Sequence, residues 1–132
     1  MSDHELKRVI EAADEAIMAE DFDAVKDFYH DHATLVVRPG LNVSGKADIR
    51  KAFVAIADHF NHSLKITQDK MKIIEAGDAA LVIAEAILTT SGADGTETTL
   101  VRRSTYVFRK NAGGKWLCVI DNSYGTELLD EA

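Results

Sequence analysis

The second half of the chain carries the pattern that limits its fold most. Apolar, strand-like stretches lie near residues 64–75, 79–90, 96–109 and 115–123, and short turn sequences that contain glycine separate them. Turns of this length usually join neighbouring antiparallel strands. The pattern therefore predicts an antiparallel meander of four strands.

The first part of the chain has helical spacing instead. Residues 3–19 place apolar side chains on one face, after a capping box formed by Ser2 and Glu5. Asp21 is a typical N-cap for a second, shorter helix that should end near His30. Two helices joined by a tight corner are therefore expected before the first strand.

A third helix is predicted between that first strand and the meander. The strand is the short β-branched stretch at 33–37, and Ser44 then caps a helix whose apolar face reaches Phe60. Helices grouped before a run of linked strands predict an α+β domain, in which the helices cover one face of the sheet.

Composition limits the class of protein and its partners. The chain has 132 residues, 46% of them hydrophobic, which suits a single domain over residues 1–132. Its net charge of -7 repels phosphate backbones and anionic lipid, so we expect no nucleic-acid partner and no membrane partner. The lone Cys118 excludes an internal disulfide, and the start lacks the apolar core of a secretory signal, so a cytoplasmic location is predicted.

The last hairpin allows a prediction of strand register. A four-residue loop at 111–114 would place Lys110 opposite Lys115. One face of the sheet would then carry Arg103, Thr105, Trp116 and Asn122, and the other would carry Tyr106, Phe108, Leu117, Val119 and Asp121. Both faces are substantially apolar, so we expect helices to cover the first face and a second copy of the chain to cover the second, as a homodimer.

Three stretches carry a family resemblance: AEDFDAVKDFYHDHATLVV, SGKADIRKAF and RRSTYVFRKNAGGKWLCVIDNS. Together they make nearly the whole chain resemble the nuclear transport factor 2-like superfamily, and most closely its SnoaL-like branch. The resemblance implies a cone-shaped α+β fold, in which three N-terminal helices pack on a curved antiparallel sheet. The superfamily keeps this cone and varies the chemistry inside it, so the resemblance implies the fold and does not by itself imply an activity.

Ketosteroid isomerase, one of these relatives, uses a carboxylate base after the first strand and a tyrosine on helix one. The resemblance aligns Arg38 or Val37 with the base and Ala13 with the tyrosine. An arginine does not remove a proton at neutral pH, and an alanine donates no hydrogen bond, so that mechanism is excluded by this alignment.

Other relatives place catalytic groups on the late strands. Limonene epoxide hydrolase uses an arginine between two aspartates; here Arg103 matches the arginine, but Thr105 and Asn122 stand in place of the aspartates. Many SnoaL-like and kinase-association relatives end the last strand in His-x-His, and Ile120 and Asn122 occupy those positions. The catalytic groups of the characterised relatives are therefore missing, and whether the chain is an enzyme stays open.

The polar groups that remain on the predicted inner face favour a binding pocket. Arg103 would hold the carbonyl or carboxylate of an otherwise apolar ligand, although an ion pair at the rim of the cone is a structural alternative. The other predicted ligand contacts are Thr105, Asn122, Trp116 and Tyr29, the last reaching inwards from helix two.

His32 is the strongest candidate acid or base, because histidine titrates near neutrality and the loop after helix two approaches the mouth of the cone in this fold. A solvated helix end is the alternative interpretation of His30, Asp31 and His32, and these three give too few ligands for a metal site. No metal and no organic cofactor are expected. Asp121 lies on the predicted dimer face, which favours a structural role for it.

Three functions follow in order of preference. The first is a small-molecule-binding protein with an apolar pocket in the cone. The second is a cofactor-independent isomerase, lyase or hydrolase that uses His32 with Arg103 and Asn122. The third is a non-catalytic dimerisation module, in which side chains fill the cone.

Overall fold

The structure is a computed structural model and describes residues 4–130. Within that range there are three α-helices, six β-strands and a final 3-10 helix, Gly125–Asp130. The helices are α1 (Glu5–Met18), α2 (Phe22–Asp27) and α3 (Lys46–His59). The strands are β1 (Tyr29–Arg38), β2 (Leu41–Ser44), β3 (Lys65–Ala76), β4 (Ala79–Ser91), β5 (Glu97–Lys110) and β6 (Trp116–Asn122). No helix of residues 4–130 is long and apolar enough to cross a membrane.

The six strands form one curved sheet in the order β2-β1-β6-β5-β4-β3. Strands β3 to β6 pair antiparallel with their sequence neighbours, which confirms the α+β fold class and the predicted meander. The prediction of a wholly antiparallel sheet is wrong, because β1 pairs with β6 in parallel. Strand β2 was not predicted. The first half of β1 was not predicted either, because its polar His-Asp-His sequence resembles the end of a helix.

One of the predicted helix caps, Asp21, is confirmed by the structure. The carboxylate of Asp21 caps α2 by accepting a hydrogen bond from the Ala24 amide at 3.2 Å. The predicted α1 cap, Ser2, lies outside the described residues, and the side chain of His4 accepts from the Leu6 amide instead. Ser44 does not cap α3: it ends β2, where its hydroxyl pairs with that of Thr34 at 2.8 Å. Gly45 precedes α3.

The core lies between the helices and the concave face of the sheet. Helix α1 buries Leu6 and Ile10 there, as its apolar spacing requires. Aromatic side chains fill the centre, and the Phe28 ring meets the edge of the Phe108 ring with 5.5 Å between centroids. Such edge-to-face pairs add to the stabilisation from burial alone.

The predicted register of the last hairpin is wrong by one residue. Lys110 pairs with Trp116, because the turn holds five residues and the Asn111 side chain closes it by accepting from the amides of Gly113 and Lys115. Since side chains alternate along a strand, this shift exchanges the two faces of β5. The concave face therefore receives Ser104, Tyr106 and Phe108, and the convex face receives Arg103, Thr105 and Val107.

A β-bulge then changes the alternation within β6. One extra residue, Val119, lies between Cys118, which pairs with Phe108, and Ile120, which pairs with Val107. Val119 and Ile120 both lie outwards as a result, and Asp121 enters the concave side.

Two residues of the predicted dimer face therefore belong to the core. Tyr106 is 8% exposed and Phe108 is fully buried within one chain, so neither is available to a second copy. Leu117 and Val119 of that face are only partly buried and lie on the convex side, whereas Asp121 is buried on the concave side.

Alanine substitutions at neighbouring positions of β5 test this register. Phe108→Ala should lower the free energy of unfolding by about 3–5 kcal/mol, because it opens a cavity in the core. Val107→Ala, on the convex face, should cost far less. Urea unfolding of both variants measures the difference, and a larger loss for Val107→Ala would show that the shifted register is incorrect.

Candidate functional site

A cavity of about 150 Å³ lies between α1, α3 and the concave face of the sheet. An apolar cavity of this size accommodates a molecule such as benzene. Its walls are mostly apolar and include Ile17, Leu35, Phe53, Ile56 and Leu88. The polar groups that interrupt these walls are Asp14, Gln68, Arg102, Ser104, Tyr106, Asp121, Ser123 and Tyr124.

Asp14 brings a carboxyl group to the cavity from the buried face of α1. Its side chain is 8% exposed, and the amide Nε2 of Gln68 donates to its Oδ2 atom at 2.8 Å. Burial raises the pKa of Asp14 to about 7; the Gln68 hydrogen bond opposes this, and the nearby charges of Asp121 and Glu11 add to it. A substantial fraction of the Asp14 carboxyl is therefore protonated near neutral pH.

Asp121 brings the second carboxyl group from the end of β6. It is also 8% exposed, and the Tyr29 hydroxyl donates to its Oδ2 atom at 2.6 Å. Burial raises the pKa of Asp121 to about 6, and the hydrogen bond from Tyr29 lowers it in part. Burial keeps the pKa of Tyr29 well above its ordinary value, so this phenol stays a neutral donor.

The two carboxyl groups influence each other through the cavity. A negative charge on Asp121 raises the pKa of Asp14, so the doubly ionised state is disfavoured. Between about pH 6 and about pH 7 the pair therefore holds about one proton, and the two groups titrate together. Such a pair can donate a proton to a bound molecule and accept one from it.

Arg102 lies at the edge of the cavity. Its guanidinium group stacks over the ring of Tyr124, with 4.4 Å to the ring centroid. Asn122 fixes the turn that carries Tyr124: its Oδ1 accepts from the amides of Tyr124 and Gly125, and its Nδ2 donates to the Gly125 carbonyl. Gly125 has a φ of +55°, and a Cβ there would collide with the Arg103 carbonyl oxygen, so the turn requires glycine.

The structure does not bring the predicted ligand residues together in the cavity. The Arg103 side chain is 76% exposed on the convex face, where its Nε donates to Glu85 at 3.2 Å, as in the structural alternative given above. Thr105 shares that face. Asn122 forms the turn beside the cavity, and Trp116 is buried beside a separate recess between α1 and α2.

The two other predicted residues have different positions. Tyr29 begins β1 instead of lying in helix two, and it meets the cavity only through its hydrogen bond to Asp121. His32 is exposed on β1, where its amide donates to Nδ1 of His30, and it does not line the cavity. Within residues 4–130, no group of three or more metal-ligating side chains could hold a metal ion.

The cavity is lined by polar side chains similar to the predicted ones, but each belongs to the residue that precedes the predicted residue in the sequence. Arg102 lines the cavity instead of Arg103, Ser104 instead of Thr105, and Asp121 instead of Asn122. Asp14 was missed although the sequence contains a signal for it. It lies four residues after Ile10 and eight after Leu6, within the apolar stripe of α1, where a charged residue is unusual.

The SnoaL-like domain family matches residues 6–119. The chain belongs to this family. No curated protein gives a significant match. The nuclear transport factor 2-like fold, also called cystatin-like, is shared with solved structures of low sequence identity.

Three of these structures illustrate the range of sequence identity, coverage and TM-score. Aln2 from a Streptomyces species is 17% identical, with 89% of this chain and 86% of that chain covered and a TM-score of 0.78. A putative dehydratase from Streptomyces avermitilis is 17% identical, with 89% and 91% covered and a TM-score of 0.75. The CaMKII hub of S. rosetta is 23% identical, with 92% and 96% covered and a TM-score of 0.72. At these identities the similarity establishes the fold alone.

The buried carboxyl of Asp14 should make stability depend on pH. Its pKa is raised from 3.8 to about 7, so its contribution to stability is complete below about pH 4 and is lost as the pH rises through about 7. Asp14→Asn keeps the acceptor for Gln68 without ionising. The variant should therefore gain stability relative to the wild type as the pH increases over this range, in melting curves recorded at several pH values.

Asp23→Asn is the control with the opposite sign. The side-chain hydrogen bond from Arg50, together with its charge, holds the pKa of the exposed Asp23 below its ordinary value, so any stability it contributes is lost only at acid pH. A pH-independent difference between Asp14→Asn and the wild type would contradict the raised pKa of Asp14.

Proposed function

We propose that this SnoaL-like protein binds a small, mainly apolar molecule in its cone and transfers protons on it without a cofactor. One observation carries the proposal: two carboxyl groups from different elements, each more than nine-tenths buried, line the same apolar cavity. Burying ionisable groups costs stability, and groups with strongly raised pKa values in a cavity are typical of acid–base sites. This assignment transfers the acid–base role from His32 to the carboxyl pair.

The different surroundings of the two groups assign their roles. Asp121, with the lower pKa of about 6, is the base, because it is mostly ionised at neutral pH. Asp14, with a pKa of about 7, is the acid, because it keeps its proton to a higher pH than Asp121 does. Tyr29 is a positioning residue, whose hydrogen bond orients the Asp121 carboxylate and stabilises its charge.

This pair suits reactions in which a proton leaves one atom and another returns to a second atom. Asp121 would remove a proton from a carbon next to a carbonyl group. Asp14 would then protonate either another carbon, which is an isomerisation, or a leaving hydroxyl, which is a dehydration. Both reactions leave the oxidation state of the protein unchanged and need no metal. The structural neighbour named as a putative dehydratase belongs to the second class.

A binding screen followed by kinetics tests the proposal. Small apolar enones, hydroxy ketones and epoxides are screened by thermal shift, in which a ligand at about 100 times its Kd adds roughly 2.7 kcal/mol of stability. Turnover of a binding compound should have a bell-shaped pH profile with its maximum between about 6 and about 7. Asp14→Asn and Asp121→Asn should each lower kcat by about 10²–10⁴-fold while the protein stays folded.

Tyr29→Phe gives a readout that a purely structural role would not produce. Loss of its hydrogen bond should raise the pKa of Asp121, so the acid limb of the profile should move to higher pH. Arg103→Gln, on the convex face, is the control and should leave the profile unchanged. Turnover that survives both Asp14→Asn and Asp121→Asn would show that the carboxyl pair is not the site.

A second candidate function is self-association through the convex face of the sheet. Large apolar side chains are exposed there, among them Leu81, Ile83, Val101 and Ile120 at 38–59%. Adjacent strands place Leu81, Val107 and Ile120 side by side, next to the partly buried Leu117 and Val119. A continuous apolar patch of this kind favours a second copy as its partner, and two structural neighbours are named as a kinase hub and an association domain.

Charged substitutions test this association. Ile83→Asp should shift the protein from dimer to monomer in sedimentation at micromolar concentration, because it buries an unpaired charge in the interface. Leu129→Asp is the control, since Leu129 is 85% exposed in the final 3-10 helix and belongs to no strand of the sheet. A wild-type protein that sediments only as a monomer would exclude the association.

A further inference from the structure

An open groove of about 830 Å³ continues outwards from the cavity. It runs between α3, the β1–β2 hairpin and the beginning of β5. The cavity and the groove share five lining residues, Val37, Ile56, Phe60, Arg102 and Tyr124. A ligand longer than the cavity would therefore extend into this groove.

The charge of the groove is opposite to that of the cavity. Arg38, Lys51 and Arg102 line it, together with one carboxylate, Asp48, and one histidine, His59. Within residues 4–130, no carboxylate lies within 4.0 Å of the charged nitrogens of Arg38, Lys51 or Arg102. In a chain with a net charge of -7, these three cations around one groove form a local positive field that attracts anions.

The groove is also lined by apolar side chains. It contains Leu41, Val43, Ala52 and Leu100. Such a surface packs against a hydrocarbon chain, while the surrounding cations reach a charged end. The groove therefore suits a flexible apolar linker that ends in an anion.

Arg102 stands where the cavity and the groove meet. Its stacking on Tyr124 holds the guanidinium group in place, and Asn122 in turn holds the backbone of Tyr124. A cation that is positioned before binding loses less conformational entropy when it pairs with an anion. Its planar fork also matches the oxygens of a phosphate or carboxylate.

We propose that the ligand of this protein has two parts, an apolar head in the cavity and an anionic tail, a phosphate or a carboxylate, in the groove. Arg38, Lys51 and Arg102 bind the tail. This inference rests on the proposed function, since the head must occupy the cavity beside Asp14 and Asp121. The head carries no anion, because the two carboxyl groups would repel it.

Matched probe compounds test the two parts separately. Three series share one phenylalkyl skeleton of increasing chain length and end in a hydroxyl, a carboxylate or a phosphate, and calorimetry measures their Kd values. At one chain length, an anionic compound should bind about tenfold more tightly than the alcohol at low salt, as expected for a few partly exposed ion pairs. The difference in affinity between the anionic compound and the alcohol should decrease as salt is added, whereas the affinity of the alcohol should stay the same.

Variants locate the tail. Arg38 and Lys51 line the groove but not the cavity. Arg38→Gln and Lys51→Gln should each weaken the binding of the anionic compounds about threefold without changing the binding of the alcohols. Arg103→Gln is the matched control, since it removes the same charge from the convex face and should change neither series.

A second pair of variants locates the head. Ala86→Leu fills the cavity and should weaken the alcohols and the anionic compounds alike. Leu88→Phe fills another part of the same wall and serves if the first variant does not fold.

The outcomes separate the two proposals. Equal affinities for alcohols and anions, with no effect of Arg38→Gln or Lys51→Gln, would overturn the anionic tail and leave the cavity intact. Anion binding that Ala86→Leu and Leu88→Phe do not weaken would also overturn the two-part ligand, because the head would then lie outside the cone. No binding in any series would overturn both proposals for this class of compound.

Discussion

The pairing of β5 with β6 is the constraint on which the chemistry of the cone depends. Two local features set it: the five-residue turn closed by the Asn111 side chain, and the extra residue Val119 in β6. The turn decides that Ser104 and Tyr106 face the helices, and the bulge brings Asp121 to the same side. Without the bulge, strict alternation would place Asp121 on the convex face and Ile120 in the cavity.

This arrangement opposes the stability of the fold. Asp14 and Asp121 are each more than nine-tenths buried, and burial raises the pKa of both, which means that their ionised forms are destabilised. Hydrogen bonds from Gln68 and Tyr29 offset only part of this cost. Apolar residues of similar size would give a more stable core, so a function in the cavity explains the presence of two interacting carboxyl groups better than the needs of folding do.

The sequence predicts the fold class, the helices and the meander, but not the parallel pairing of β1 with β6 or the residues that line the cavity. Helix α1, the Asp21 cap and the four strands of the meander depend on local periodicity and turn chemistry, which a single sequence displays. The position of Arg102 or Arg103 in the cone depends on one residue of register, and a glycine-rich turn allows loops of four or five residues equally well. The bulge at Val119 leaves no compositional mark. Asp14 was within reach of sequence reasoning, because its place in the apolar stripe of α1 is visible in the spacing.

The cavity carries carboxyl groups and the groove carries cations, so the interior of the cone and its mouth differ in charge. The carboxyl groups lie inside, on α1 and β6. Arg38 and Lys51 line only the groove, and Arg102 lies where the cavity and the groove meet. An anion is repelled by the interior and attracted by the mouth, so a molecule with a charged end can enter in only one orientation, with its neutral end first. Arg38 and Lys51 do not line the cavity, and the charges that shift the pKa of Asp14 are those of Asp121 and Glu11. A cation in contact with Asp14 would lower the pKa of its carboxyl and remove the proton that the proposed reaction needs, so the cone can hold an anionic tail without losing the raised pKa values on which its chemistry depends.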